Sequence, residues 1–234
     1  SSEILKLGGL LASMNEGSIV VPDPTFEDLP RYAGANGSEV IRVPVNDNLE
    51  TDLEAMASAV RRDTKLIYIC NPNNPIPSIV EKNALRDFVL EMSRDRMVFV
   101  DEAYHEFVDD PEYGTMMGLV RDGHQNIIVA RTASKIHGLA GLRVGFGFSH
   151  PDLAAEINRR MTGTVNIIGM RAALASYRDM EHSNFVLRKN KEALDITQGY
   201  FREAGIRHIN SAANFTCVET GHDIDEVQAR FMEH

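Results

Sequence analysis

The chain has 234 residues, 43% of them hydrophobic, and 34 acidic against 24 basic side chains give a net charge of -10. That length buries a core large enough for one domain and part of a second, and the acidic balance argues against nucleic acid or an anionic membrane as partner and for small-molecule work. Cys70 and Cys217 lie far apart in apolar runs without metal-ligand spacing, as reduced core thiols of a cytoplasmic protein do, and the sequence shows neither a bilayer-length apolar run nor a signal pattern.

Taken in order, Ser1 to Ala12 places Ile4, Leu5, Leu7, Leu10 and Leu11 at helical spacing. The Ser1-Ser2-Glu3 start is either a plain serine cap or an anion site made by free N–H groups. Ser18 to Val21 reads as a strand running into Pro22-Asp-Pro-Thr-Phe26, where two prolines exclude regular structure and present Phe26 from a stiff turn, as a core plug or a stacking face. A strand at Val40 to Val45 and a helix at Thr51 to Arg62 follow, then Lys65 to Cys70, a continuous apolar run suited to a buried parallel strand. Its end, Asn71-Pro-Asn-Asn-Pro-Ile-Pro77, is a stiff turn with free amides. Ser78-Ile-Val-Glu81 has the spacing of a capping box opening a helix with Leu85, Phe88, Val89 and Met92 on one face.

Met97 to Val100 and Asn126 to Ala130 are further strands, and Val144 to Phe148 another. Beyond Pro151 the pattern turns helical, over 151–160, 171–177 and 182–204, with Gly205 as the closing cap. Asn214 to Glu219 reads as a strand of a second unit, and the chain stops at His234 just inside an apparent helix starting at Asp223. Both ends of a longer natural protein are therefore expected to be missing. The expected division is a large domain over 1–181 and a connecting helix with a partial small domain over 182–234. The fold class is α/β: three layers, α/β/α, around a mostly parallel sheet, plus the start of a small α+β domain.

Three strands alternating with helices deliver polar residues just past their carboxyl ends: Asn73 and Asn74, Asp101 and Tyr104, Ser134 and Lys135. In open α/β sheets ligands bind along that edge. Lys135 lies in a Ser/Gly-rich loop between two apolar strands, where a lysine can be half buried; a solvated loop lysine is the commoner alternative, and the company of the other polar residues lifts Lys135 above it. Desolvation penalises an ammonium, and a neutral amine is what nucleophilic lysine chemistry needs. Competing motifs are weaker. Gly138 to Gly145 lacks dinucleotide-loop spacing and precedes a strand. Asp101, Glu102, His105 and Glu106 lack a metal-binding pattern, so His105 reads as solvated. No Gly-x-Ser-x-Gly elbow occurs.

Asn71-Pro-Asn-Asn-Pro75, Asp101-Glu-Ala-Tyr104 with Glu106-Phe107, and Arg131-Thr-Ala-Ser-Lys135 with Gly138-Leu-Ala-Gly-Leu-Arg143 occur in one order along the chain. In that combination the sequence resembles the fold-type I pyridoxal-phosphate aminotransferases, most closely the histidinol-phosphate aminotransferase group. The resemblance implies pyridoxal 5'-phosphate as cofactor, with Lys135 bonding its aldehyde and later acting as general base. It implies Asp101 at the pyridine nitrogen, Tyr104 and Asn74 at the ring oxygen, and Phe26 on the ring face. Ser1, Ser2, Ser134 and Arg143 would hold the phosphate. It further implies ping-pong transfer between an amino donor, histidinol-phosphate-like or aromatic, and a 2-oxo acid, and a cytoplasmic homodimer. A decarboxylase of the same fold, or a non-catalytic form, is the alternative. Ile76-Pro77 departs from the family's usual Thr-Gly, and the segments that choose the substrate are expected outside this chain.

Overall fold

The computed structural model describes residues 2–14 and 16–233. Six strands, β1 (Ser18–Asp23), β2 (Glu39–Pro44), β3 (Thr64–Cys70), β4 (Met97–Asp101), β5 (Ile127–Thr132) and β6 (Gly145–Ser149), form one sheet in the order β2-β1-β3-β4-β5-β6. All pairs are parallel except β5 with β6. Apolar runs rather than alternating patterns specify the inner strands β1, β3, β4 and β5 because both sheet faces are covered there, whereas the edge strands β2 and β6 are partly exposed. In β3, Leu66, Tyr68 and Cys70 join one core cluster while Ile67 and Ile69 join the other.

The first cluster includes side chains of α1 (Ser2–Ser13), α2 (Asp28–Ala35) and, later in the chain, α6 (Pro151–Asn158). The second takes in α3 (Leu53–Ala59), α4 (Lys82–Met92) and α5 (Met117–Arg121). The result is the expected three-layer arrangement. After β6 and α6 come α7 (Ile167–Arg178), the long α8 (Met180–Glu203) and α9 (Ile224–Met232). Gly205, at φ +67°, ends α8, with Ile206 N–H reaching back to Phe201 O at 2.8 Å.

Helix α1 lies close on the sheet because two glycines remove side chains from its inner face. A Cβ at Gly8 would sit 2.9 Å from Phe99 Cδ2, and one at Gly9 3.1 Å from the Leu29 carbonyl oxygen. This approach brings the start of α1 to the carboxyl edge of the sheet, where β1 and β3 lie side by side and the order of connection reverses. Such a switch point opens a crevice.

Several local expectations are corrected. Pro22 lies inside β1, opposite Val43 of β2. Gly17 and Asp23 turn their carbonyls toward β2 and Ser18 turns its N–H toward Asp63, so Pro22 faces the β3 side, where the pairing has already ended at Val20. A strand tolerates proline there because no ladder bond is lost. Helix α4 does not begin at a Ser78 capping box. Glu81 caps it, accepting from the N–H groups of Asn83 (2.9 Å) and Ala84 (2.8 Å). The segment 214–219 forms no ladder among the described residues, only a single bridge between His208 and Val218, since a lone strand pair gains too little to extend. Cys217 is only partly buried, whereas Cys70 is fully so.

Candidate active site

The loops after β1, β3, β4 and β5 meet at the crevice. Asn71 and Asn73 are buried, and their amides serve the fold: Asn71 Oδ1 accepts from Val80 N–H (2.9 Å), and Asn73 accepts from Thr25 Oγ1 (2.9 Å) and donates to Pro24 O (3.0 Å). Asn73 thus ties the Phe26 turn to the Asn71–Pro77 turn. Asn74, half-buried, is left to face the crevice, and its Nδ2 donates to Tyr104 Oη at 3.3 Å. Ile76 is buried, and Pro77 O accepts from Ala212 N–H at 2.9 Å. The Ile-Pro pair therefore docks inward without displacing Asn74.

Strand β4 ends on Asp101, which is 2% exposed. Among the described residues its hydrogen bonds come from two neutral donors, Ala103 N–H (3.1 Å) and the Tyr68 hydroxyl (3.3 Å). Burial pushes its carboxyl up to about 6, opposed by those donors and by the nearby Lys135 ammonium. Burial also pushes the Tyr68 hydroxyl and the Cys70 thiol well above their ordinary ranges, so both stay protonated beside it. Glu102, the neighbouring acid, is a structural anchor. Its carboxylate takes Arg131 Nη2 at 2.8 Å, Thr115 Oγ1 at 2.7 Å and Met116 N–H at 2.7 Å.

Tyr104 is buried with its ring edge-on to Phe215, centroids 5.1 Å apart. The half-buried Lys135 places Nζ 4.6 Å from the Tyr104 ring centroid. Lysine, tyrosine and asparagine from three different loops are therefore one contact chain next to Asp101. Elsewhere in the crevice, Arg143 Nη2 reaches Ser2 Oγ at 3.5 Å across 141 positions of sequence. Arg143 holds a left-handed backbone, φ 57° and ψ 44°, costing a non-glycine residue about 1 kcal/mol or more. Its Nη1 donates to Ala140 O at 2.8 Å, and Asn166 pins the preceding carbonyl, Leu142 O, at 3.1 Å. A strained arginine whose guanidinium lies beside the start of α1 is an anion-binding arrangement. Ser134 is half-buried, and its N–H donates to the buried Thr132 Oγ1 at 3.1 Å.

Phe26 is part-buried against the α1/β3 cluster, and neither it nor Ser134 has a direct hydrogen bond or ring contact with the Lys135 group among the described residues. Ser1 lies outside the described residues. His105 is not solvated: its side chain is 15% exposed, burial lowers it to about 4, and Nδ1 lies 2.9 Å from Glu102 O. Sequence reasoning missed Tyr68, read only as part of an apolar run, and Thr132 and Thr25. The one signal for Tyr68 was a hydroxyl within the apolar run Leu66 to Cys70, which a buried partner must satisfy.

A doubly covered, mostly parallel sheet with a lysine, an aspartate and an arginine at its carboxyl edge defines the class. The profile of the family "Aminotransferase class I and II" matches residues 1–231, and the chain belongs to that family. It is 38% identical over its whole length to a histidinol-phosphate aminotransferase of Moorella thermoacetica and 35% identical over 94% of its length to one from Brevibacillus brevis. The crystal structure of histidinol-phosphate aminotransferase from Sinorhizobium meliloti, in complex with pyridoxal-5'-phosphate, superposes with a TM-score of 0.88 at 27% identity over 97% of this chain. The chain spans 60%, 61% and 61% of the lengths of these three proteins.

Proposed function

We propose that the chain binds pyridoxal 5'-phosphate and forms the catalytic core of an aminotransferase exchanging an amino group between a histidinol-phosphate-like or aromatic amino substrate and a 2-oxo acid. The observation that carries this reading is the meeting of Lys135, Tyr104 and Asn74 beside the buried carboxylate of Asp101. The donor set fits the cofactor. A buried carboxylate surrounded by neutral donors suits a cationic ring nitrogen, Asn74 and Tyr104 offer polar ends to a phenolic oxygen, and Ser2, Ser134 and Arg143 suit a phosphate, with Ser1 assigned alongside them. Phe26 would cover the ring face.

When bound, the cofactor supplies an electron sink for charge developing at the substrate α-carbon. The protein supplies everything else. Asp101 would keep a proton on the ring nitrogen, because a carboxylate in a dry site gains most from a cation. Lys135 would hold the cofactor aldehyde, and its Nζ, when free, would accept and return the substrate α-proton as general base. Asn74 orients the Tyr104 hydroxyl, and Arg143 with the start of α1 anchors the anionic end. Ping-pong kinetics would follow, because the 2-oxo product leaves before the second substrate enters the same site. The chain is further proposed to act in the cytoplasm as a homodimer, with 182–234 as connecting helix and part of a small domain. No helix among the described residues is long and apolar enough to cross a membrane.

The test is to add pyridoxal 5'-phosphate to the purified protein, record the visible spectrum, reduce with borohydride and map the adduct. A new band, with the label fixed on the Lys135 peptide and absent from that peptide in Lys135→Ala, is the expected result. Wild-type protein that stays colourless and unlabelled would overturn the reading.

A further inference from the structure

His137 follows Lys135 by two positions, and Glu106 follows Tyr104 by two. The two side chains meet: His137 Nε2 lies 3.1 Å from Glu106 Oε1, and Nδ1 lies 2.9 Å from Ser176 Oγ on α7. The His137 side chain is 4% exposed, and its ring lies 3.8 Å, centroid to centroid, from that of Tyr177. Both ring nitrogens are thus occupied, and the imidazole is clamped between two elements. By contrast, the turn carrying Lys135 has few ties of its own. Gly138 N–H donates to Lys135 O and Leu139 N–H to Ala133 O, both at 3.0 Å, and Ile136 is buried.

A buried Glu–His–Ser chain is an expensive way to fill space, since an apolar contact of the same volume is usually as stable or more so. Glu106 Oε2 is buried without a hydrogen-bond partner among the described residues. Burial raises the Glu106 carboxyl to about 7, against the pull of Arg131, and it lowers His137, which also faces His182. Burial thus disfavours the charged form of each partner. Directional hydrogen bonds fix the geometry of the pair.

We propose that His137, held by Glu106 and Ser176, is a positioning residue for Lys135: it pins the lysine turn to the segment bearing Tyr104 and so keeps Nζ over the Tyr104 ring. The role of that amine toward the cofactor rests on the proposed function. Its placement does not, and can be read in cofactor-free protein.

The experiment compares wild type with His137→Phe, which keeps a ring against Tyr177 and loses both hydrogen bonds, with Ser176→Ala, which removes one end, and with Glu106→Gln, which preserves a hydrogen bond to His137. Cofactor-free protein is acetylated briefly with an N-hydroxysuccinimide ester, and peptide mass spectrometry gives the Lys135 rate relative to Lys189 and Lys191. Released from its contact, Lys135 should react about threefold faster or more in His137→Phe and Ser176→Ala, while Glu106→Gln stays near wild type. In the same proteins, pyridoxal 5'-phosphate capture by Lys135, fixed with borohydride, should slow about tenfold in His137→Phe. A merely structural role would lower the unfolding temperature without this opposed pair of changes. Wild-type labelling rates in both His137→Phe and Ser176→Ala would overturn the proposal, whatever the cofactor does. Faster labelling in a protein whose wild type never captures the cofactor would uphold the positioning role and remove the cofactor reading instead.

Discussion

Asp101 is the residue at which stability and proposed function pull apart. Its carboxyl is raised from 3.8 to about 6, chiefly by burial. Above pH 6 the folded chain holds a buried carboxylate that the unfolded chain carries in water, so folding loses stability as pH rises from about 4 to 6. The shift of about two units corresponds to roughly 3 kcal/mol. Cofactor-free Asp101→Asn should accordingly resist urea better than wild type at pH 7.5, by up to about 3 kcal/mol, with the difference shrinking toward zero near pH 4. Under the proposed function, the same substitution should lower transamination on the order of 10²-fold, because the ring nitrogen would lose its counter-charge. Equal or lower stability of the variant at pH 7.5 would show that Asp101 is satisfied without a cation. Asp101, Tyr104 and Lys135 were legible in the sequence because each stands at or just past the end of an apolar run. The role of Tyr68 and the pairing of Glu106 with His137 were not. Tyr68 is 33 residues from Asp101 and His137 31 from Glu106, and only the folded sheet brings such partners together.

At the scale of elements, the strands of the sheet and the Gly205 cap were readable, while the cap of α4 was not, for a physical reason. Burial on both faces leaves a continuous apolar run that marks β3, β4 and β5 directly, whereas a cap is chosen by backbone geometry among several eligible side chains. Ser78 had the right spacing, but its segment is drawn into the Asn71 turn, where Ser78 O accepts from Asn73 N–H at 3.0 Å. Glu81 was left to cap α4. The close seat of α1 was equally hidden, since a glycine pair in a helical pattern looks like a weakness. Gly8→Ala tests that seat. Alanine gains up to about 1 kcal/mol of helix propensity, but its Cβ would stand 2.9 Å from a ring carbon of the fully buried Phe99, which cannot swing away. Overpacking of this kind costs about 1–3 kcal/mol. Thermal unfolding of the variant should therefore show a net loss of about 1 kcal/mol, together with weaker retention of inorganic phosphate as the Ser2 end of α1 moves from Arg143. A stabilised Gly8→Ala with unchanged phosphate retention would mean that α1 has room to spare.

The molecule as a whole carries an apolar surface that its own fold leaves open. Ile167 and Ile168 are 74% and 77% exposed, and with Phe146, Met170, Leu174 and Tyr177 the first of them lines a groove of about 380 Å³ on α7. Surfaces of this kind mark contact sites, and a second copy is the proposed occupant. Two chains of net charge -10 repel, so apolar burial must overcome like charge, and added salt should tighten the pair by screening it. A two-fold interface uses each residue twice. Ile168→Asp would remove two isoleucines from the contact and add two negative charges to an already acidic pair. Losing about 1.5–3 kcal/mol of burial at each position predicts association weaker by about 10²-fold or more. Sedimentation equilibrium at tens of micromolar should find wild type paired and Ile168→Asp single, with the unfolding temperature of the separated chain little changed because the side chain is already in water. A wild type that sediments as a monomer at all salt concentrations would leave the α7 face without the partner proposed for it. A variant that pairs as tightly as wild type would move the contact to another face.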